Sequence, residues 1–188
     1  MAERGDGAMT ILGVDPGYAI LGWGVVAYRA SRYALLGCGA IETDKDAPWP
    51  ERLKTIYAGL VEIIERYSPG VCAVEELFFN SNQKTAIKVG EARGAAVLAC
   101  ANAGLPVFEY TPLQVKQALT GYGRAEKQQI QEMVRQILGL EKAPRPDDAA
   151  DAVAIAICHA NSSGYAEKVA RYEAATGNRQ LKEGLRKR

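Results

Sequence analysis

The fold class that the sequence predicts is an α/β domain with a mixed five-stranded sheet flanked by helices. Three observations carry it: three strand-like runs near the N-terminus with no helical stretch between them, a later alternation of helix and strand patterns, and an apolar helix near residue 150. Thr10 to Val14 (TILGV) is an apolar run cut off by Asp15-Pro16-Gly17, the pattern of a strand ending in a turn. Leu21 to Tyr28 and Tyr33 to Thr43 are two further strands joined by a short polar turn at Arg29 to Arg32, so the first three strands form an antiparallel meander. From Pro50 the period changes. Leu53, Ile56, Tyr57, Leu60, Ile63, Ile64 and Tyr67 recur at threes and fours, the stripe of an amphipathic helix that Pro69-Gly70 stops. Val71 to Glu75 returns to strand, Thr85 to Ala103 reads as helix and Pro106 to Tyr110 as strand, an order that calls for parallel strands with right-handed crossovers. Helices near Leu113 to Leu119 and Ala125 to Leu138 flank a Gly121-Tyr122-Gly123 hinge. The last helix starts at about Asp147 and runs through AADAVAIAICHA, apolar on nearly every face, as a helix packed on a sheet must be.

This order of elements is compatible with the ribonuclease H-like fold. The length, 188 residues, suits one domain with one sizeable core. With 48% hydrophobic and 24% charged residues and a net charge of +1, the composition is that of a soluble globular protein rather than a disordered or membrane one. No apolar run approaches a bilayer span and MAERGDGAM lacks a signal-peptide pattern, so a cytoplasmic location is expected. Cys38, Cys72, Cys100 and Cys158 stand singly in apolar contexts, without the spacing of a zinc site, and read as small buried hydrophobes. Beyond Ser162 the chain is polar and basic, and weak order is expected there.

The acids hold the functional information. Asp15 ends the first strand, where the ordinary role of an Asp before Pro-Gly is turn formation. Glu75 ends Val71-Cys72-Ala73-Val74, a run typical of a strand buried on both faces, where an unpaired carboxylate is costly; a Lys or Arg partner is the alternative explanation. Asp148 and Asp151 are three apart at the start of the last helix, hence on one face, near the positive end of its dipole. Asp147, after Pro146, is the natural helix cap. Four carboxylates converging beside the sheet repel one another unless a cation joins them, and an all-oxygen set suits Mg²⁺ or Mn²⁺. Two such ions can activate a water and stabilise the leaving oxygen of a phosphodiester.

These segments resemble the RuvC family of bacterial Holliday junction resolvases over nearly the whole chain. The likeness runs through ILGVDPG (Ile11 to Gly17), RLKTIYAGL (Arg52 to Leu60), AVEELFF (Ala73 to Phe79), GEARG (Gly90 to Gly94), PVFEYTPLQVKQ (Pro106 to Gln117), AEKQQIQEMV (Ala125 to Val134) and DAADAVAIAICH (Asp148 to His159). The resemblance implies a ribonuclease H-like fold, a homodimer, and Mg²⁺-dependent paired nicking of four-way DNA junctions in recombination and repair, with two ions per site and Mn²⁺ able to substitute. It places the metal ligands on Asp15, Glu75, Asp148 and Asp151, with Glu76 on the opposite face of the strand. It divides the chain into an extension at residues 1–8, a nuclease domain at 9–162 and a basic tail at 163–188. A branch-migration motor of the RuvA–RuvB type is the further partner it implies.

Lys116 and Lys127 match family lysines close to the scissile phosphate, where a cation holds the backbone or stabilises developing charge. Phe78 matches an aromatic near the junction centre, able to stack on an unpaired base; Phe79 is assigned to packing or the dimer, with the choice between the two rings open. Lys84, Lys88, Arg93 and Arg124 are candidate phosphate contacts, with solvated helix-face charges as the plainer reading. Gly90 and Gly94 suggest close helix packing, across a dimer or within the chain, and His159 reads as a helix C-terminal cap. Competing functions are a ribonuclease H-like enzyme for RNA or hybrid, a nucleotide-binding domain of the actin and sugar-kinase type, for which the chain lacks a second half, and a non-catalytic junction-binding module.

Overall fold

The computed structural model describes residues 9–77 and 83–162. Phe78 and Phe79, the N-terminal extension and the basic tail lie outside the described residues. Among the described residues, five strands and five helices follow in the order β1 (Met9–Asp15), β2 (Ile20–Arg29), β3 (Arg32–Glu42), α1 (Trp49–Tyr67), β4 (Val71–Glu75), α2 (Gln83–Asn102), β5 (Val107–Tyr110), α3 (Pro112–Thr120), α4 (Lys127–Ile137) and α5 (Asp147–Asn161). The strands form one mixed sheet in the order β3-β2-β1-β4-β5. β1, β2 and β3 are the antiparallel meander, and β4 and β5 continue from β1 in parallel. A two-residue turn, Ala30-Ser31, joins β2 to β3 with both residues at positive φ, the handedness that matches the twist of a tight hairpin.

Alternation along β1 and β4 creates two cores. Leu12, Val14, Cys72 and Val74 face α1 and α2, whose contributions include Ile56, Leu60, Ala92 and Ala96. Ile11, Val71 and Ala73 face the other way, toward α5, α3 and α4. The residues Ala149 to Ala150 and Ala152 to His159 of α5 are all buried, which fits the near-absence of a polar face in its sequence.

The helix entries refine three expectations. Thr111 and Gln114 form a reciprocal capping box, with Gln114 N–H donating to Thr111 Oγ1 at 3.1 Å and Thr111 N–H donating to Gln114 Oε1 at 2.8 Å, so α3 starts at Pro112. Glu126 N–H donates to Gln129 Oε1 at 2.9 Å, and α4 begins at Lys127 rather than Ala125. Asp147 is not the cap of α5: Pro146 occupies that position and Asp147 is the first helical residue, its side chain turned to Arg145. His159 is also not a cap residue. It is 1% exposed in the core, its Nδ1 2.7 Å from the Tyr110 hydroxyl, because the end of α5 lies over β5 instead of reaching solvent. Cys72, Cys100 and Cys158 are buried as expected, whereas Cys38 on the edge strand is only half-buried.

Candidate active site

The register of β1 and β4 brings the first two acids together. Val14 pairs with Val74, so Asp15 and Glu75, the next residue of each parallel strand, end side by side. Both belong to the face shared by Ile11, Gly13 and Ala73, which is the face covered by α5. Glu76 follows on the opposite parity, is exposed, and uses its backbone N–H on Tyr110 O at 2.9 Å.

Glycines then set how closely α5 approaches. Gly13 pairs with Gly24 and Asp15 with Gly22 across β1 and β2. A Cβ on Gly13 would stand 2.0 Å from Ala152 O, and one on Gly22 would stand 2.0 Å from Asp148 O, so the helix backbone rests directly on the strands. Gly24 receives Val153 in the same way, with a built Cβ 2.4 Å from its Cγ2. This contact presents the first turns of α5, with Asp148 and Asp151, to the C-terminal ends of β1 and β4.

Electrostatics report the convergence. Asp15 is raised from 3.8 to about 8, first by burial and then by the charges of Glu75, Asp151 and Asp148, and it is hydrogen-bonded to Glu75. Burial also raises Glu75, against the pull of Lys116 and Lys127, and raises Asp151 against a hydrogen bond from Lys127. Two like charges about 4 Å apart at an effective dielectric of about 20 cost about 4 kcal/mol, so the set does not ionise fully unless a cation accompanies it. Among the described residues no three acids, histidines or cysteines are already gathered as a ligand set. Asp15 is turned to Glu75, and Asp151 to Lys127, whose Nζ lies 2.9 Å from Asp151 Oδ2. The donor chemistry nevertheless fits a hard divalent ion: every acid offers carboxylate oxygen, and the strongly raised Asp15 holds a proton where a metal would supply positive charge.

Beside the acids lies a cavity of about 200 Å³ lined by Glu75, Asp151, Lys116, Lys127, Val115 and Ile130. The two lysines come from different helices, Lys116 from α3 and Lys127 from the first position of α4. Of the other candidate cations, Arg124 is exposed, and Lys88 has its Nζ 5.5 Å from the centre of the Tyr18 ring. Lys84 belongs to α2. Arg93 is bonded to the Glu109 carboxylate and directs its Nε toward Glu75 O at 3.4 Å, which braces the end of β4.

Sequence reasoning missed a second brace. Arg52 stacks on the Tyr18 ring, with its guanidinium carbon 4.1 Å from the ring centre, and its Nε donates to Thr43 Oγ1 at 2.9 Å. Thr43 in turn donates to Tyr18 O at 2.8 Å, so the turn that follows Asp15 is tied to β3 and α1. No sequence signal finds this, since the three residues lie in different segments and none is unusual in its own context.

Known proteins share this chain's sequence pattern and fold. Residues 11–159 match the family described as crossover junction endodeoxyribonuclease RuvC. The protein of that name from Alkaliphilus oremlandii is 57% identical over 159 residues, which cover 85% of this chain and 97% of the relative. The solved structure of Thermus thermophilus RuvC superposes with a TM-score of 0.76 at 46% identity, covering 85% of this chain and 96% of the other. The same protein in complex with a Holliday junction substrate superposes with a TM-score of 0.76 at 43% identity, with the same coverage. The mixed sheet is therefore that of a ribonuclease H-like nuclease, and the chain belongs to the RuvC family of crossover junction endodeoxyribonucleases.

Proposed function

We propose that this chain resolves four-way DNA junctions by paired, symmetric, metal-dependent nicks that leave 5′-phosphate and 3′-hydroxyl ends, in recombination and DNA repair. The observation that carries the reading is that Glu75, Asp151 and Asp148 all act electrostatically on Asp15, beside a cavity that Glu75 and Asp151 line together with Lys116 and Lys127. Asp15, Glu75, Asp148 and Asp151 would hold two Mg²⁺ ions, with Mn²⁺ able to replace them. Bound there, the metal supplies an activated water and positive charge at the leaving oxygen. Lys116 and Lys127 hold the scissile phosphate and face the charge that develops on it. Arg93 keeps the end of β4, and with it Glu75, in place.

Further contacts follow the same reading. Lys84, Lys88 and Arg124 meet backbone phosphates, Arg93 adds positive charge near them, and Phe78 or Phe79 stacks on a base at the crossover. A homodimer would place two sites on opposing strands of a junction that is itself twofold. One face of α2 supports it: Ile87 is 64% and Leu98 53% exposed, and between them a Cβ added at Gly90 or Gly94 would meet only open space. Residues 9–162 form the nuclease domain, with residues 1–8 and 163–188 as its extension and tail. No helix among the described residues is long and apolar enough to cross a membrane. The place of action is the cytoplasm, in partnership with a branch-migration motor.

Cleavage of a synthetic four-way junction, a linear duplex and an RNA–DNA hybrid in Mg²⁺ tests the reading. Wild type is expected to cut the junction selectively. Glu75→Gln and Asp148→Asn should bind it and cut at least about a hundredfold more slowly, the scale on which a transition-state charge contact is lost. Wild-type-like cutting by either variant, or preference for the hybrid, would overturn it.

A further inference from the structure

Asp147 is the acid beside the carboxylate set that the mechanism above leaves unused. It is the first residue of α5 and stands one turn before Asp151, so the two share a helix face. Lys127 reaches both from the start of α4, with Nζ 2.9 Å from Asp151 Oδ2 and 3.9 Å from Asp147 Oδ2. Arg145 is bonded to the other oxygen of Asp147, Oδ1, which leaves Oδ2 as the oxygen turned to the lysine. An ammonium on a four-carbon stem carries three rotatable donors, so a displacement of about 1 Å moves its main contact from one carboxylate to the other without backbone motion. The side chains have room for it: Asp151 is 28%, Asp147 42% and Lys127 52% exposed.

We propose that Asp147 is a positioning residue that receives Lys127 when Asp151 commits its oxygens to a divalent cation. The inference rests on the carboxylate reading above. A metal and an ammonium on the same carboxylate oxygen repel each other, so Lys127 must give up its contact with Asp151. Without Asp147 it either competes with the cation or turns into solvent, away from the cavity it lines. With Asp147, tethered by Arg145, it remains beside the cavity, where a DNA phosphate would meet it.

The test is a double-mutant cycle read by calorimetry of Mn²⁺ binding, without DNA, on the full chain as wild type, Asp147→Asn, Lys127→Met and the pair. Asp147→Asn should weaken Mn²⁺ binding by roughly two- to fivefold, the range of a partly exposed charge pair, when Lys127 is present. It should have little further effect once Lys127 is Met. The ¹⁵N resonance of Lys127 Nζ should move on adding Mg²⁺ to wild type and move differently in Asp147→Asn. Equal losses in both backgrounds would mean that Asp147 acts only as a through-space charge and would overturn the inference, as would no loss in either. Failure of wild type to bind Mn²⁺ at all would overturn the carboxylate reading itself.

Discussion

Because burial and neighbouring carboxylates raise Asp15 from 3.8 to about 8, the folded chain keeps a proton there that the unfolded chain has already released. The contribution of that proton to stability is complete below the unfolded value and is lost as pH rises through about 8. In buffer with a chelator, the thermal midpoint should therefore fall as pH is raised from about 5 to about 8. Asp15→Asn should show a smaller slope, and saturating Mg²⁺ should restore the midpoint of wild type at the alkaline end by binding only the folded form. A midpoint independent of pH in wild type would contradict this account of Asp15. Glu75 and Asp151 stand out in the sequence because one ends an apolar run and the other sits among alanines one turn into a helix, whereas Asp15 has an ordinary turn role before Pro-Gly and joins Asp148 in the set through the family resemblance. Arg52, Tyr18 and the Arg93 to Glu109 pair do not stand out, since their roles depend on partners distant in the chain.

At the scale of elements, the approach of α5 to the sheet decides whether the acids meet. Gly13→Ala would drive a methyl into the carbonyl of Ala152, only 2.0 Å from the new Cβ, and neither backbone can yield cheaply. Urea unfolding is expected to show a loss of about 1–3 kcal/mol or more, the usual range for overpacking. Junction cleavage should fall further than stability alone explains, because α5 carries Asp148 and Asp151. Unchanged cleavage in a folded Gly13→Ala protein would show that the close contact is not what positions them. The helices and strands themselves were legible: the threes and fours of α1, the apolar run of β4 and the unbroken apolarity of α5 each identify an element by period. The glycine contact was not. A glycine inside a strand ordinarily suggests a bulge, and only the register that pairs Gly13 with Gly24 and Asp15 with Gly22 reveals a seat for a helix.

For the whole molecule, the proposed paired cutting calls for two copies of the chain. Leu98→Glu, on the face of α2 that also carries Gly90 and Gly94, should convert a dimer to a monomer by light scattering. It should also leave junctions nicked on one strand where wild type cuts both. A Leu98→Glu protein that stays dimeric would exclude this face as the contact. The site also draws on distant parts of one chain: residue 15 from the first strand, residue 75 from the fourth, and residues 148 and 151 from the last described helix. That same helix closes one of the two cores. A fragment that stops short of α5 therefore loses half its acids together with the packing of a sheet face. If those acids hold the metal as proposed, this is a safeguard, because an unfinished or proteolysed copy would be silent on DNA instead of becoming an unregulated cutter.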